Sequence, residues 1–118
     1  MSRVLLFTDD RRFADETRDR LRDHHAVHSA SLSSFDAVDA RDFGADVIFL
    51  DASGNGSAFA VRQRLLHDRA LAQVPLVAVT ESPQEASLLS AAAMVTKPVT
   101  PSALDDVLQR LSSRFVPV

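Results

Sequence analysis

The chain has 118 residues, a formal net charge of −3, ordinary hydrophobic content (46%) and no cysteine. This size fits one compact domain, and the acidic balance argues against a nucleic-acid-binding surface, which would need a basic stripe facing phosphates. The lack of thiols excludes disulfides, thiolate metal sites and cysteine nucleophiles. The first apolar run is too short for a signal peptide or a membrane span, so we expect a cytoplasmic protein.

The first half of the chain alternates short apolar runs with amphipathic stretches. Phe13, Thr17 and Leu21 recur with a helical period, and Glu16 can pair with Arg20 one turn later. The predicted elements are a strand at 4–7, a helix at 11–24, a strand at 26–31, a helix through Phe35, Val38 and Phe43 capped by Ser33 or Ser34, and a strand at 47–50.

The second half continues the same alternation. Ser82 to Glu85 reads as a capping box with a proline at the first helical position, and the last helix begins at Thr100-Pro101. The predicted elements are a helix at 57–68, a strand at 74–79 despite Pro75, a helix after residue 82, a strand at 93–96, and a helix with the stripe Leu104, Leu108, Leu111 and Phe115.

This order is a strand followed by a helix, repeated five times. Strands that alternate with helices predict a parallel sheet, because each helix is the crossover between two strands. Continuous apolar strands are typical of burial on both faces. The sequence therefore predicts an α/β fold whose ligands bind beyond the carboxyl ends of the strands.

Polar residues stand at four of those strand ends. Asp9 and Asp10 follow the first strand, Asp51 the third, Thr80 the fourth, and Lys97, the only lysine in the chain, the fifth. The ends of parallel strands share one edge of a sheet, so we expect these side chains to gather in one shallow cleft.

Three neighbouring carboxylates repel one another unless a cation lies among them. Oxygen ligands of this kind suit Mg²⁺, and a carboxylate can attack phosphorus to form an aspartyl phosphate. Asp51 is the best nucleophile candidate, because it stands alone on the middle strand. Lys97 could neutralise the moving phosphoryl group, and Thr80 could hydrogen-bond one of its oxygens.

Each residue taken alone also has a simpler interpretation. Asp9 or Asp10 could cap the first helix, Asp51 could open a turn with Gly54 and Asn55, and Thr80 could be an ordinary strand-end threonine. These interpretations explain the joint arrangement at four strand ends poorly.

The stretches VLLFTDD, VIFLD, LVAVT and MVTKPVTPSAL, in this order, resemble the receiver domain of two-component response regulators across essentially the whole chain. The resemblance implies a flavodoxin-like three-layer sandwich around a five-stranded, doubly wound parallel sheet of order 2-1-3-4-5. It implies a single receiver domain over residues 1–118, without an effector domain.

The same resemblance implies the roles of the site residues. Asp51 would be the phosphoacceptor, and Mg²⁺ would be held by Asp9, Asp10 and Asp51 with the backbone carbonyl of Ser53. Thr80 and Lys97 would contact the phosphoryl group, and the Lys97-Pro98 peptide would be cis.

The resemblance also implies the partners. A sensor histidine kinase, a phosphotransfer protein or a small phosphodonor would supply the phosphoryl group, and a downstream effector protein would read it. Nucleic acid and membrane are not expected as partners, and a homodimer is left open. Catalysis would be limited to the protein's own phosphorylation and dephosphorylation.

The chain departs from the family pattern around the site. The loop after Asp51 is shorter than usual, Glu81 replaces a very small residue, and Met94 stands where an aromatic switch residue is common. The segment between Thr80 and Lys97 is also short, which predicts a stunted or displaced helix there. These departures concentrate on the usual signalling surface.

Two alternatives stay open beside the phosphoacceptor. A pseudo-receiver would be an interaction module of the same fold that works without phosphorylation, and Glu81 favours it. A Mg²⁺-dependent phosphatase-like hydrolase fits less well, because the adjacent Asp9-Asp10 pair differs from the spaced Asp-x-Asp of such enzymes. His24, His25 and His28 are expected to be structural, and the arginines between residues 11 and 22 to form a solvated face.

Overall fold

The structure is a computed structural model that describes residues 3–34, 36–52, 57–81, 84, 89, 91–97 and 99–115. Five strands and their helices follow one another along this part of the chain, with a 3-10 turn at Leu32–Ser34. The elements are β1 Arg3–Phe7, α1 Arg11–Leu21, β2 Ala26–Ala30, α2 Ala37–Phe43, β3 Val47–Asp51, α3 Ser57–His67, α4 Arg69–Ala72, β4 Leu76–Thr80, β5 Ala93–Thr96 and α5 Pro101–Phe115.

The strands form one parallel sheet in the order β2-β1-β3-β4-β5. The central strands β3 and β4 are buried along their whole length. Burial on both faces explains their continuous apolar sequences, since no residue of these strands faces solvent. The predicted fold class and strand order are confirmed.

Helices cover both faces of the sheet, which makes three layers. Alternate side chains of each strand point to opposite faces, so that Leu5 and Ile48 belong to one core and Val4 and Phe49 to the other. The first core includes residues of α2, α3 and α4, and the second includes residues of α1 and α5. In α5 the predicted stripe is buried at Leu104, Leu108 and Leu111.

The predicted cap of the second helix is wrong. Asp36, not Ser33 or Ser34, caps α2, and its Oδ1 accepts hydrogen bonds from the backbone N–H groups of Val38 at 2.8 Å and Asp39 at 3.2 Å. The serines lie in the 3-10 turn instead. The helix therefore begins at Ala37. In this position Val38 is 54% exposed to solvent, and Ala40 is buried in the core.

Other element boundaries also shift. The helix predicted over 57–68 is followed by a second, short helix, because Asp68 caps α4 by accepting from the N–H groups of Ala70 and Leu71. The fourth strand begins after Pro75, which cannot donate to a ladder. The first helix ends at Leu21, three residues before the predicted end.

The predicted Glu16–Arg20 pair is wrong as well. Glu16 pairs with Arg12 at 3.1 Å, and Arg20 reaches across to Asp105 of α5 at 2.7 Å. The helical spacing allows an i,i+4 ion pair, but Arg20 instead pairs with the carboxylate of Asp105 on another helix.

Several predictions lie outside the described residues. They concern Phe35, the turn with Gly54 and Asn55, the capping box at 82–85 and the short helix after it, and the Lys97-Pro98 peptide. Within the described part of the chain, no helix is long and apolar enough to span a bilayer.

Candidate functional site

Asp51 is the last residue of β3 and is only 4% exposed. The register pairs Phe7 of β1 with Leu50 of β3, so the next residue of the first strand, Thr8, lies beside Asp51. On the other side, Asp51 pairs with Val79, and Thr80 follows. A carboxylate at this depth needs hydrogen-bond donors or a cation, and the neighbouring strand ends supply both.

Lys97 supplies the cation. Its backbone N–H donates to the carbonyl of Thr80 at 2.8 Å, which fixes the chain just beyond β5. Its Nζ lies 3.0 Å from Asp51 Oδ2 and 3.2 Å from Asp10 Oδ2, and 5.0 Å from the centre of the Phe13 ring. The ammonium therefore bridges the carboxylate that ends β3 and the carboxylate that caps α1.

Two opposing effects act on the pKa of Lys97. Burial lowers it, but the hydrogen bonds and negative charges of Asp51 and Asp10 together outweigh burial and raise the pKa above its ordinary value. Lys97 is thus a full positive charge at neutral pH.

Asp10 combines two of the roles that the sequence left open. Its Oδ1 accepts from the N–H of Phe13 at 3.1 Å and caps α1, while its Oδ2 contacts Lys97. The pKa of Asp10 is lowered, first by the Phe13 hydrogen bond and then by Lys97. Asp10 is therefore anionic at neutral pH. It lies at the more exposed rim of the strand-end cluster, which Asp10, Asp51 and Lys97 form.

Thr8 is a site residue that the sequence analysis did not single out. Its hydroxyl donates to Asp51 Oδ2 at 2.5 Å and accepts from the backbone N–H of Asp10 at 3.0 Å. The direction follows from chemistry, because an ionised carboxylate cannot donate and an N–H cannot accept. The available signal was a hydroxyl residue at the end of an apolar run, directly before two acids.

Of the remaining predicted site residues, the structure describes Asp9 and Thr80. Asp9 is exposed, and its Oδ1 accepts from the N–H of Leu32 at 3.0 Å, on the β2 side of the site. Thr80 is fully buried at the end of β4. Ser53 lies outside the described residues. The structure thus joins Asp10, Asp51 and Lys97 directly, and the metal role of Asp9 stays a prediction.

A cleft of about 480 Å³ opens in front of the cluster. Glu81, the residue after Thr80, lines it together with Asp10 and Lys97. A small anionic group that enters the cleft therefore meets charges of both signs, two cations and three carboxylates, when Arg12 and Glu16 are included. The other lining residues are Arg12, Phe13, Glu16 and Val99.

The cluster offers oxygen ligands for a divalent cation. Asp10 and Asp51 already direct one oxygen each toward a single cation, the ammonium of Lys97. Mg²⁺ usually takes one or two protein carboxylates and fills its other positions with water and phosphate oxygens. The donor set fits Mg²⁺ in this sense, although the described residues contain no group of three or more acidic, histidine or cysteine ligands.

No protein-family model and no curated protein matches the sequence. Solved structures do match, among them the chemotaxis response regulator CheY4 of Vibrio cholerae, with a TM-score of 0.82 and 22% identity over 94% of this chain and 98% of that chain. A putative response regulator from Chloroflexus aurantiacus matches with a TM-score of 0.81 and 18% identity, over 96% and 98% of the two chains.

The signal receiver domain of a histidine kinase from Syntrophus aciditrophicus matches all of this chain and 95% of that chain, with a TM-score of 0.77 and 18% identity. At such identities the likeness shows the fold. The chain has the fold of CheY-like response-regulator receiver domains, as its sequence motifs indicated.

Proposed function

We propose that this protein is a phosphoacceptor signalling domain, in which Asp51 takes a phosphoryl group and the phosphorylated form alters contacts with partner proteins. The observation that carries the proposal is the Asp51 carboxylate at a buried strand end, bridged by Lys97 to Asp10, with Lys97 and Asp10 lining an open cleft. The receiver fold supports a role in response-regulator signalling.

The chemistry needs a nucleophile and compensation for negative charge. One Asp51 carboxylate oxygen attacks phosphorus, the bond from phosphorus to the donor breaks, and the donor leaves with the electron pair. The Lys97 ammonium lies where it can neutralise charge on the phosphoryl oxygens during transfer.

Mg²⁺, held by Asp10 and Asp51 and by Asp9 as the sequence predicts, would add further positive charge beside the phosphoryl oxygens. The physiological donor in this proposal is a sensor histidine kinase or a phosphotransfer protein, and the reader of the phosphorylated state is an effector protein. Thr80, at the end of β4, is the proposed hydroxyl partner of the phosphoryl group.

The test is intact mass spectrometry of the pure protein incubated with acetyl phosphate, with and without Mg²⁺. We expect a phosphoryl adduct that requires Mg²⁺ and is absent from Asp51→Asn. Asp46→Asn is the matched control, because Asp46 stands just before the same strand, at its opposite end, and should label like the wild type. An adduct that persists in Asp51→Asn would place the acceptor elsewhere.

Glu81 favours one second candidate, the pseudo-receiver that binds partners without phosphorylation. Its carboxylate lines the same cleft as Lys97 and repels an anionic phosphodonor. Absence of an adduct, with Mg²⁺ binding shown separately and a known receiver labelled in parallel, would support this candidate over the phosphoacceptor.

A further inference from the structure

Two donors converge on one oxygen of Asp51. The Thr8 hydroxyl reaches Oδ2 at 2.5 Å and the Lys97 ammonium reaches the same atom at 3.0 Å. The short O–H···O distance is typical of a hydrogen bond to an ionised carboxylate. A carboxylate oxygen has about two lone-pair sites, so these two donors fill those of Oδ2.

Two further hydrogen bonds fix the position of Thr8. The Asp10 N–H donates to it at 3.0 Å, and the Thr8 backbone N–H donates to the carbonyl of Ala30 at 3.0 Å. Thr8 is buried, so water does not compete readily for its hydroxyl. The hydroxyl hydrogen of Thr8 is therefore directed at Asp51 Oδ2.

We propose that Thr8 limits the lifetime of the phosphoryl group on Asp51, by donating a hydrogen bond to the carboxylate that carries the group. This inference rests on the proposed function. In the acyl phosphate the Asp51 carboxyl group has lost its negative charge, so it accepts the Thr8 hydrogen bond more weakly than the free carboxylate does.

Hydrolysis returns negative charge to this carboxylate. A water oxygen attacks phosphorus, the bond from phosphorus to the Asp51 carboxyl oxygen breaks, and its electron pair returns to the carboxylate, while the proton of the attacking water passes to solvent. The charge spreads over both oxygens. The hydrogen bond from Thr8 to Oδ2 strengthens as the charge grows, which stabilises the transition state for loss of the phosphoryl group.

The same bond has the opposite effect on uptake. It stabilises the free carboxylate more than the transition state, in which part of the charge has moved to the phosphoryl group. Without the hydroxyl, the phosphoryl group should therefore persist longer while uptake is no slower. A residue that served only to maintain the fold would not produce this combination, because a disordered site would slow uptake.

The test compares wild type with Thr8→Val, which keeps the shape and loses the hydroxyl. Each protein is phosphorylated with acetyl phosphate and Mg²⁺ and then freed of the donor. The adduct is followed by intact mass. We expect the adduct of Thr8→Val to last roughly three- to ten-fold longer, and its uptake to be at least as fast as that of the wild type.

Two variants serve as controls. Thr8→Ser restores a hydroxyl and should return the lifetime to within roughly two-fold of the wild type. Thr17→Val makes the same change at a buried threonine of α1 and should leave the lifetime unchanged. If thermal unfolding shows that Thr8→Val does not fold, Thr8→Ala provides the same comparison without the β-branched side chain.

The outcomes separate the two proposals. A wild-type protein that takes no phosphoryl group overturns the proposed function and this inference with it. A labelled wild type whose adduct decays at the same rate in Thr8→Val overturns the inference alone. Slower uptake together with a longer lifetime in Thr8→Val would show a structural role for Thr8 and would also overturn the inference.

Discussion

The strand-end cluster and the exposed side of α1 use the same kinds of charged groups in opposite environments. In the Lys97–Asp51 pair the two side chains are 13% and 5% exposed, whereas in the Arg12–Glu16 pair they are 89% and 64% exposed. The two pairs have nearly equal lengths, 3.0 and 3.1 Å. Distance alone therefore does not distinguish the two pairs, and burial determines how strongly the loss of one partner lowers the stability of the protein.

The difference arises from how each pair is assembled. The pair on α1 comes from two residues of one helical turn, and water surrounds both side chains. Asp51 ends β3 and Lys97 directly follows β5, and these two strands lie on either side of β4. Thr8, which directly follows β1, adds a group from a third strand end. Only a folded sheet brings these groups together, so their contacts depend on the fold.

The largest effect is expected for Lys97→Met. This change removes the ammonium from beside the buried Asp51 carboxylate, and we expect the free energy of unfolding at pH 7 to fall by about 3 kcal/mol. Phosphoryl uptake should also fall strongly. Urea unfolding followed by far-ultraviolet circular dichroism measures the change, since the chain has no Trp or Tyr for fluorescence.

Added Mg²⁺ should restore part of that stability, because a second cation can replace the ammonium between Asp10 and Asp51. The pKa of Lys97 is raised above its ordinary value of 10.5 in the folded protein. The stability lost in Lys97→Met should therefore persist across neutral pH, and the difference from the wild type should shrink only as the pH rises through this raised pKa. Arg12→Met removes an exposed cation as the control. A loss no larger than that of Arg12→Met would mean that burial does not strengthen the Lys97 pair.

A smaller effect is expected in acid from Asp10. The pKa of Asp10 is lowered from 3.8, so its contribution to stability is complete above 3.8 and disappears as the pH falls through the lower folded value. Asp10→Asn keeps a good helix cap but cannot ionise. The stability of the wild type should therefore fall more steeply than that of Asp10→Asn below about pH 4.

Thermal unfolding at a series of pH values tests this expectation. Asp19→Asn on α1 is the comparison, because Asp19 pairs with Arg22 at 3.8 Å and both side chains are mostly exposed. If the thermal stabilities of the wild type and Asp10→Asn fell in parallel as the pH was lowered, Asp10 would not contribute to the acid dependence of stability.

The smallest effect is expected on α1 itself. Glu16→Gln removes the exposed pair with Arg12, and we expect the free energy of unfolding to change by less than about 0.5 kcal/mol. The change should shrink further at high salt, where exposed charges are screened. Urea unfolding at low and high salt measures both. A loss near that of Lys97→Met would make the solvated face of α1 as important as the cluster.

Much of the fold was available from the sequence. The apolar runs at 4–7, 47–50 and 93–96 are strands, and the helical period of Phe13, Thr17 and Leu21 marks the buried face of α1. Alternation of strands and helices was enough to predict a parallel sheet, and the shared edge of such a sheet predicted that Asp10, Asp51 and Lys97 would meet. These features follow from local periodicity and from the geometry common to all parallel sheets.

The partners of individual polar groups were decided by the tertiary structure. Arg20 bonds to Asp105 of α5 instead of Glu16, and Arg62, a buried arginine of α3, donates from Nε to the carbonyl of Leu89 at 2.8 Å. Neither contact has a sequence signal, because the partners are 85 and 27 residues away.

Thr8 shows the same division within the site. The sequence determined that a threonine directly follows β1 and that an aspartate ends β3. The register of these two strands placed the hydroxyl against Asp51 Oδ2, and a shift of one residue would have turned it to the other face of the sheet. Strand order and register depend on how the whole chain packs, so only the tertiary structure could decide this hydrogen bond.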